Sequence, residues 1–296
     1  MTETQKPLRI GFVPEHFSTP LHYAQKYFSL SAELIPFPSG TGHMITSLRA
    51  GEIDIGIGLT EGWVAGLGKE GLEGDGGYRI VGTYVETPLC WAISTGHSRT
   101  EITSPNSLLT HTKCGVSRIG SGSYIMSFVL SDTLTPSSRS PFTHIPLQTF
   151  ASLRDGVNNG TADFFMWEHF TSKRYYDNGS IKKIGEIYTP WPSWQIVAST
   201  SILPSSPQLE ALFTAVNKGI QHFNANAEEN IKYISTELDY SEEDAREWLG
   251  TVKFAVDVKG VDEKVVQDTV GVLRKAGVLV EGKGLTSQEM VSVKRS

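Results

Sequence analysis

Short apolar runs alternate along this chain with polar stretches that have helical spacing. Residues 8–13 form the first apolar run, which stops at Pro14, and residues 34–38 form the next extended segment. Apolar runs of this length are too short for helices and are typical of buried strands in parallel sheets. The alternation predicts an α/β protein, in which helices cover a mainly parallel sheet.

One phrase occurs twice, 109 residues apart. Residues 47–57 (SLRAGEIDIGI) are echoed by residues 158–166 (NNGTADFFM). In each copy a polar helical stretch ends at a glycine, Gly51 or Gly160, which can adopt the left-handed conformation that stops a helix. An aspartate three residues later precedes a short apolar strand, and each copy runs on to a glutamate. The repeat predicts two similar lobes facing each other across a cleft, which the loops after the strands would line.

Two long extended stretches, residues 78–94 and 184–200, are placed to carry the chain from one lobe to the other and back. They predict a lobe I of residues 1–88 and 197–296 and a lobe II of residues 89–196, with the ligand cleft between them. Two crossings between lobes imply a hinge.

The C-terminal part is predicted to be helical and structural. A helix is expected from Asp262, its N-cap, to Ala276, with Gly277 as the stop. The Pro- and Ser-rich segment 133–141 is predicted to be an exposed loop. Six apolar residues recur at the spacing of one face of another helix, namely Leu209, Leu212, Phe213, Val216, Ile220 and Phe223.

Composition narrows the function classes. The 296 residues are 39% hydrophobic and 20% charged, which suits a folded chain of one or two domains. A net charge of −6 argues against nucleic acid, which demands a basic face. No apolar run approaches the length of a membrane span, and the first residues lack the pattern of a secretion signal, so neither a membrane span nor a signal is expected. With only Cys90 and Cys114, a reducing cytoplasmic setting is expected, with no metal and no cofactor.

The order of the short motifs carries a resemblance. A Ser-Gly-Thr-Gly helix start at 39–42, the repeated phrase, Ser-Arg-Ile-Gly-Ser-Gly-Ser at 117–123 and Gly-Thr-Ala-Asp at 160–163 follow one another between the two extended stretches. This order resembles the type II periplasmic substrate-binding protein fold, in the branch of nitrate, sulfonate, taurine and thiamine-pyrimidine-precursor receptors and fungal thiamine-pyrimidine synthases. The chain is most similar to a fungal cytosolic group with this fold. The resemblance implies a two-lobed protein joined by two crossing hinge segments that binds a small molecule.

Two glycine- and serine-rich loops are candidates for binding an anion. Each precedes a predicted helix, so free backbone N–H groups and the positive end of the helix dipole would meet a negative group. The alternative is that the serines are ordinary helix caps. The candidate residues are Ser39, Gly40, Thr41, Gly42 and His43 in the first loop and Arg118, Gly120, Ser121, Gly122 and Ser123 in the second.

Three carboxylates are candidates for the other end of the ligand. Glu15, Glu61 and Glu168 each follow a predicted strand closely, so each would point into the cleft, where it could pair with an amino-substituted ring or with Arg118. The alternative is that they are solvated loop residues. If both kinds of group converge, the ligand has an anionic end and a nitrogen-bearing donor end. An aminopyrimidine with a phosphate fits both.

Aromatic and imidazole side chains complete the candidate site. Four tryptophans lie in or beside the proposed strand-end and hinge loops, namely Trp63, Trp167, Trp191 and Trp194. The last three are candidates to stack on a heterocycle, and the alternative is that they only pack the core or the hinge. Trp91 and Trp248 are placed elsewhere. Further candidates close to the same loops are Thr60, His16, His22 and His43.

Enzyme activity is the less favoured interpretation. The chain has no Gly-x-Ser-x-Gly elbow, phosphate loop or His-Glu-x-x-His pair. It also lacks the cysteine-rich iron site that the resemblance to thiamine-pyrimidine synthases would imply. The main hypothesis is therefore a cytoplasmic binding protein that closes on a small polar or anionic, heterocyclic metabolite. The alternatives are an enzyme of thiamine-pyrimidine metabolism, with His16 or His43 as acid or base, and a regulatory module whose closure is read by a protein partner.

Overall fold

Two five-stranded sheets form the framework of the protein. The computed structural model describes residues 6–136, 140–202 and 204–295. The strands are β1 (Leu8–Phe12), β2 (Ala32–Pro36), β3 (Ile55–Leu59), β4 (Tyr78–Val85), β5 (Cys90–Gly96), β6 (Lys113–Val116), β7 (Thr143–Pro146), β8 (Phe164–Glu168), β9 (Ile181–Tyr188) and β10 (Trp194–Ser199). The α-helices are α1 (Thr19–Tyr27), α2 (Thr41–Arg49), α3 (Thr60–Gly68), α4 (Gly122–Leu134), α5 (Phe150–Asn158), α6 (His169–Asp177), α7 (Pro207–Ala225), α8 (Ala227–Glu237), α9 (Glu242–Leu249), α10 (Glu263–Lys275) and α11 (Ser287–Met290).

The two sheets have the same topology. The first has the order β2-β1-β3-β10-β4 and the second the order β7-β6-β8-β5-β9. In each sheet four strands point the same way, and one, β10 or β5, runs antiparallel between two of them. Helices flank both sheets, so the predicted two-lobed α/β fold with mainly parallel sheets is confirmed. We call the first sheet with α1–α3 and α7–α11 lobe I, and the second with α4–α6 lobe II.

Each long extended stretch is two strands that belong to different sheets. Residues 86–89 cross from β4 to β5, and residues 189–193 cross back from β9 to β10. The crossings are hydrogen-bonded to each other through the Thr189 N–H and the Leu89 carbonyl, 3.1 Å apart. Since β10 lies wholly in the first sheet, we propose that the second lobe boundary falls within 189–193 rather than at residue 197.

The aspartate of the repeated phrase anchors a neighbouring strand in each lobe. Asp54 accepts from the backbone N–H of Arg9 at the start of β1 at 2.9 Å, and Asp163 accepts from that of Lys113 at the start of β6 at the same distance. The glycines before them have φ angles of 68° and 80°, the left-handed values that end α2 and α5. The repeat is thus a structural unit that fixes the helix-to-strand turn.

The C-terminal helices complete lobe I. Helix α7 crosses α1 so closely that a Cβ on Gly219 would lie 2.2 Å from the Pro20 carbonyl oxygen. Helix α10 begins at Asp262, whose side chain accepts from the Lys264 N–H, and is followed by Gly277 with φ 78°. The predicted loop 133–141 begins later than expected, because α4 extends to Leu134, and its residues 137–139 lie outside the described residues.

The lobes touch each other on both sides of the cleft. On one side, Lys275 of α10 forms an ion pair with Asp132 of α4 at 2.7 Å. On the other, Lys173 of α6 pairs with Asp244 of α9 at 3.0 Å, and Thr171 is hydrogen-bonded to Tyr240 at 3.1 Å. The structure is therefore a conformation in which the two lobes are in contact.

Candidate binding site between the lobes

A cavity of about 70 Å³ lies between the two sheets, at the carboxyl ends of their parallel strands. Ligands of open α/β sheets bind at this edge. Among the described residues, thirteen of the predicted site residues line it: Glu15, Ser39, Gly40, Thr41, Gly42, Arg118, Gly120, Ser121, Gly122, Ser123, Trp167, Glu168 and Trp194. Val13, Pro38, Leu59, Gly62, Leu89, Trp91 and Ser117 complete the lining.

Two helix N-termini point at this cavity, one from each lobe. Helix α2 begins after Gly40, and helix α4 begins after Ser121. The first N–H groups of a helix have no intrahelical acceptor and carry the positive end of the helix dipole. Two such ends from opposite sides give the cavity a set of backbone donors for an anion.

The hydroxyl groups of these loops also hold the loops together. Thr41 Oγ1 accepts from the Leu59 N–H at 2.9 Å. Ser121 Oγ accepts from the Tyr124 N–H at 3.3 Å, and Ser123 Oγ accepts from the Ser117 N–H at 3.4 Å. Ser121 therefore caps a helix, which was the alternative interpretation from the sequence, and it also lines the cavity.

Replacing Ser121 by alanine separates these two roles. We expect a loss of about 1 kcal/mol in the free energy of unfolding, because an N-cap is removed, together with weaker binding of an anion. Ser241→Ala is the matched control, since Ser241 caps α9 in the same way, with its Oγ 3.0 Å from the Asp244 nitrogen, and lies outside the cavity lining. Urea unfolding and calorimetric titration measure the two effects. Unchanged anion affinity in Ser121→Ala would leave Ser121 as a cap only.

Arg118 is the cationic side chain of the cavity lining. Its Nη1 donates to the Ser39 carbonyl oxygen at 2.6 Å, which joins the loop of lobe II to the loop of lobe I. Burial lowers the pKa of the guanidinium, which nevertheless stays charged at every physiological pH. A half-buried cation with donors to spare favours a negatively charged partner.

Two carboxyl groups face the same cavity from opposite lobes. Burial and, to a lesser extent, the charge of Glu168 raise the pKa of Glu15 to about 8. Burial likewise raises the pKa of Glu168 to about 7, against hydrogen bonds to Oε2 from the Thr171 N–H at 2.7 Å and the Thr171 hydroxyl at 2.9 Å. At neutral pH this pair therefore keeps at least part of its protons. A protonated carboxyl can donate to an anion, and an ionised one can accept from a nitrogen donor.

His16 lies behind the cavity wall and does not line it. Its side chain is 1% exposed, and Nε2 is 3.9 Å from Glu168 Oε1. Neither ring nitrogen has a hydrogen-bond partner among the described residues, and the ring is surrounded by Phe17, Tyr240 and Trp248. Burial lowers the pKa of His16 well below its usual 6.5, so the ring is neutral.

Five further predicted residues also lie outside the cavity lining. Glu61 is fully buried, and its Oε2 accepts from the Trp191 indole N–H at 2.9 Å; the neighbouring Thr60 hydroxyl donates to the Pro192 carbonyl oxygen. Through these two hydrogen bonds, Thr60 and Glu61 of α3 bind Pro192 and Trp191 of the second crossing. His22 stacks on Tyr233 at 4.4 Å between ring centres, and His43 is an exposed partner of Ser39.

The repeat explains why Glu61 and Glu168 are not equivalent. The two glycines of the repeat are 109 residues apart. At the same separation, the residue that corresponds to Glu168 is Leu59 and not Glu61. Leu59 and Glu168 are the last residues of β3 and β8, and both line the cavity. Glu61 lies two residues further on, inside α3, where it is directed at Trp191. A strict alignment of the two copies would have found this offset.

Trp91 is a lining residue that the sequence analysis placed elsewhere. It pairs with Glu168 across β5 and β8, as Trp194 pairs with Leu59 across β10 and β3. Because β5 and β10 are antiparallel to their neighbours, their first residues lie at the carboxyl edge of each sheet, where the cavity is. The indole nitrogens of Trp91 and Trp194 are buried without a partner within the described residues. The signal in the sequence was a tryptophan just after each crossing.

Two features of the described residues concern metal ions and membranes, namely the grouping of their metal-ligating side chains and the length of their helices. No group of three or more His, Cys, Asp or Glu side chains is arranged there to hold a metal ion. None of the helices formed by these residues has the length and apolar character needed to cross a membrane.

Comparison with known structures identifies the family. A Candida albicans protein, the CA3427 gene product, is 42% identical to this chain, with 93% of this chain and 92% of that one covered and a TM-score of 0.85. That protein is described as defining a new family with the generic periplasmic binding protein fold. The chain belongs to the CA3427 family. A family profile described as Ca3427-like PBP matches residues 91–187 of lobe II.

More distant structures share the fold of the CA3427 family. The alkanesulfonate-binding protein SsuA from Xanthomonas axonopodis pv. citri, bound to MOPS, is 16% identical over 96% of this chain and 97% of that one, with a TM-score of 0.73. The periplasmic nitrate-binding protein NrtA from Synechocystis PCC 6803 is 14% identical over 94% and 83%, with a TM-score of 0.68. No curated protein matches the sequence significantly. The predicted two-lobed periplasmic-binding-protein fold is thus confirmed, and this fold is one that binds small molecules.

Proposed function

We propose that this CA3427-family protein is a receptor for a small molecule with an anionic group at one end and a nitrogen-bearing donor at the other. The observation that carries the proposal is the convergence, in one cavity, of two helix N-termini and Arg118 with the carboxyl pair of Glu15 and Glu168. The first set suits an anion, and the second suits a donor. Trp91 and Trp194 would cover the ligand on its apolar side.

The size of the cavity bears on the ligand. About 70 Å³ is less than half of the roughly 150 Å³ that holds a benzene molecule in an apolar cavity. An aminoalkyl sulfonate such as taurine is about as large as benzene, so the lobes must separate and close again for it to bind. An aminopyrimidine phosphate carries the same two kinds of end and is larger, so it requires a wider cavity. We keep the heterocyclic ligand as the second member of this ligand class.

Binding without turnover accounts best for the arrangement. His16 and His43, the residues that an enzyme of thiamine-pyrimidine metabolism would use as acid or base, lie outside the cavity lining. His16 is also held neutral by burial. Cys90 and Cys114 are both free thiols, which agrees with our proposal of a cytoplasmic location. A partner protein that recognises the closed form would make the receptor a regulatory module.

Matched ligand pairs test the proposal. Calorimetric titration is expected to show that taurine binds at least about tenfold more tightly than ethanesulfonate, which lacks only the amino group, because the ammonium pairs with Glu15 and Glu168. Glu15→Gln should reduce this preference, whereas Glu33→Gln, on strand β2 outside the cavity lining, should not.

Three outcomes are informative. Equal binding of both sulfonates would show that the site does not recognise a nitrogen-bearing donor, and the protein would then be a receptor for simple anions. Binding of an aminopyrimidine phosphate but not of taurine would select the heterocyclic ligand. Binding of none of the three probes, nor of any metabolite that co-purifies and is seen by native mass spectrometry, would contradict the receptor.

A further inference from the structure

A second and larger cavity lies next to the first, with Glu168 in the lining of both. Its volume is about 370 Å³, within the range of roughly 300–1,000 Å³ that is usual for small-molecule sites. Both lobes and the first crossing contribute to it. The lining residues are Phe17, Thr87, Pro88, Cys90, Glu168, His169, Phe170, Lys183, Glu186, Tyr188, Glu247, Trp248, Thr251 and Val252.

Buried aromatic rings form one part of this second cavity. Phe17, Phe170 and Trp248 are each less than a tenth exposed. Phe17 and Trp248 meet edge to face, with ring centres 5.2 Å apart and planes at 88°. Ring faces are apolar and carry a negative partial charge, so they attract both hydrocarbon and organic cations.

The cationic side chain of the lining is already satisfied. Lys183 Nζ donates to Glu186 Oε2 at 2.5 Å and lies 3.5 Å from His169 Nδ1. Glu186 is satisfied as well, because its Oε1 also accepts from the Tyr188 hydroxyl at 3.2 Å. Burial and Lys183 lower the pKa of His169, so this imidazole adds no positive charge near pH 7. A ligand anion would find no free cation here.

Unused hydrogen-bonding capacity in this cavity belongs to carboxylates. Glu247 has no hydrogen-bond or ion-pair partner within the described residues, and it is exposed at the cavity rim. The Thr171 donors both reach Glu168 Oε2, the Phe170 N–H is a further donor to this carboxylate, and Oε1 lies 3.9 Å from His16 Nε2. The lining thus offers acceptors at one side and aromatic faces at the other.

We propose that this second cavity binds a small organic ammonium compound with an apolar or aromatic body. The ammonium pairs with Glu247 and Glu168, and the body lies against Phe17, Phe170 and Trp248. Since the residues come from both lobes, the cavity has this shape only when the lobes are in contact. An ammonium at Glu168 keeps that carboxylate ionised, which links the occupant of the second cavity to the electrostatics of the first.

Three probes of one shape and different charge test this site. Phenethylammonium is expected to bind at pH 8, while 2-phenylethanol, its neutral counterpart, binds at least about tenfold more weakly, and 3-phenylpropanoate does not bind. Calorimetric titration gives the affinities, and a shift of the Trp248 indole N–H resonance locates the probe.

Paired variants distinguish the site from general charge effects. Glu247→Gln should weaken phenethylammonium binding about threefold to tenfold, since the lost carboxylate is partly screened by water. Glu243→Gln removes the same charge from the same helix outside the cavity lining and should change nothing.

The proposal is overturned by any of three results. These are equal binding of the ammonium and the alcohol, an unchanged affinity in Glu247→Gln, and binding that leaves the Trp248 indole N–H resonance unshifted. The last result would place the probe outside the second cavity. If phenethylammonium does not bind at millimolar concentration, the proposed second site is wrong. The sulfonate titrations test the first cavity and do not depend on this result.

Discussion

Replacing Arg118 by alanine is expected to weaken sulfonate binding roughly 10- to 100-fold. A hydrogen bond to a charged group contributes about 1.5–3 kcal/mol, and Arg118 is the cation of the described cavity lining. The substitution also removes its hydrogen bond to the Ser39 carbonyl, which joins the two lobes. Calorimetric titration with taurine at low and high salt measures both the affinity and its salt dependence, which should become smaller in the variant.

Two further variants sharpen this expectation. Arg118→Lys keeps the charge but loses the planar fork of donors, so its affinity should lie between those of the native protein and Arg118→Ala. Arg246→Ala removes an exposed arginine of α9 that pairs with Glu228 and should have no effect on binding. Native affinity in Arg118→Ala would assign the anion to the two helix N-termini alone and contradict the role of the guanidinium.

Raising the pH from about 6 to 9 is expected to lower the free energy of unfolding of the unliganded protein. Glu15 has a folded pKa of about 8, and Glu61 and Glu168 have values of about 7, against an ordinary value of 4.5. Between about pH 4.5 and pH 8, the folded state therefore binds more protons than the unfolded state. Stability is full below about pH 4.5 for these groups and is lost as the pH rises through 7 and 8. These pKa values lie about 2, 1 and 1 units above pH 6, and each unit corresponds to about 1.4 kcal/mol, so the loss between pH 6 and 9 is on the order of 5 kcal/mol.

His16 is expected to lower the free energy of unfolding at acid pH. Its folded pKa lies well below 6.5, so the unfolded state binds the extra proton there, and acid destabilises the fold. Because three carboxyl groups oppose one imidazole, we expect these groups together to give the greatest stability at about pH 4.5. Urea unfolding at a series of pH values measures the curve, and Glu15→Gln and Glu168→Gln should each flatten its alkaline side. A curve that rises from pH 6 to 9, or that the two variants leave unchanged, would contradict the buried carboxyl pair.

Much of the framework follows from local pattern. The repeated phrase predicts two lobes because each copy contains its own helix stop and strand, and these depend on neighbouring residues only. The glycine-serine loops predict helix N-termini at the cavity for the same reason. The two tryptophans after the crossings were treated differently by sequence reasoning, which included Trp194 and left out Trp91. Their equivalence depends on an antiparallel strand that enters each sheet from the other lobe, and strand order is a non-local property.

By itself, the sequence determined the fold class, the two-lobed organisation and the two glycine- and serine-rich loops that precede α2 and α4, because periodicity and helix-stop signals act over a few residues. Only the tertiary structure decided which carboxylates meet. It brings Glu15 and Glu168 together from opposite lobes and turns Glu61 toward Trp191 at the second crossing. The raised pKa values and the second cavity arise in the same way, because burial and the approach of like charges exist only when distant segments pack against each other.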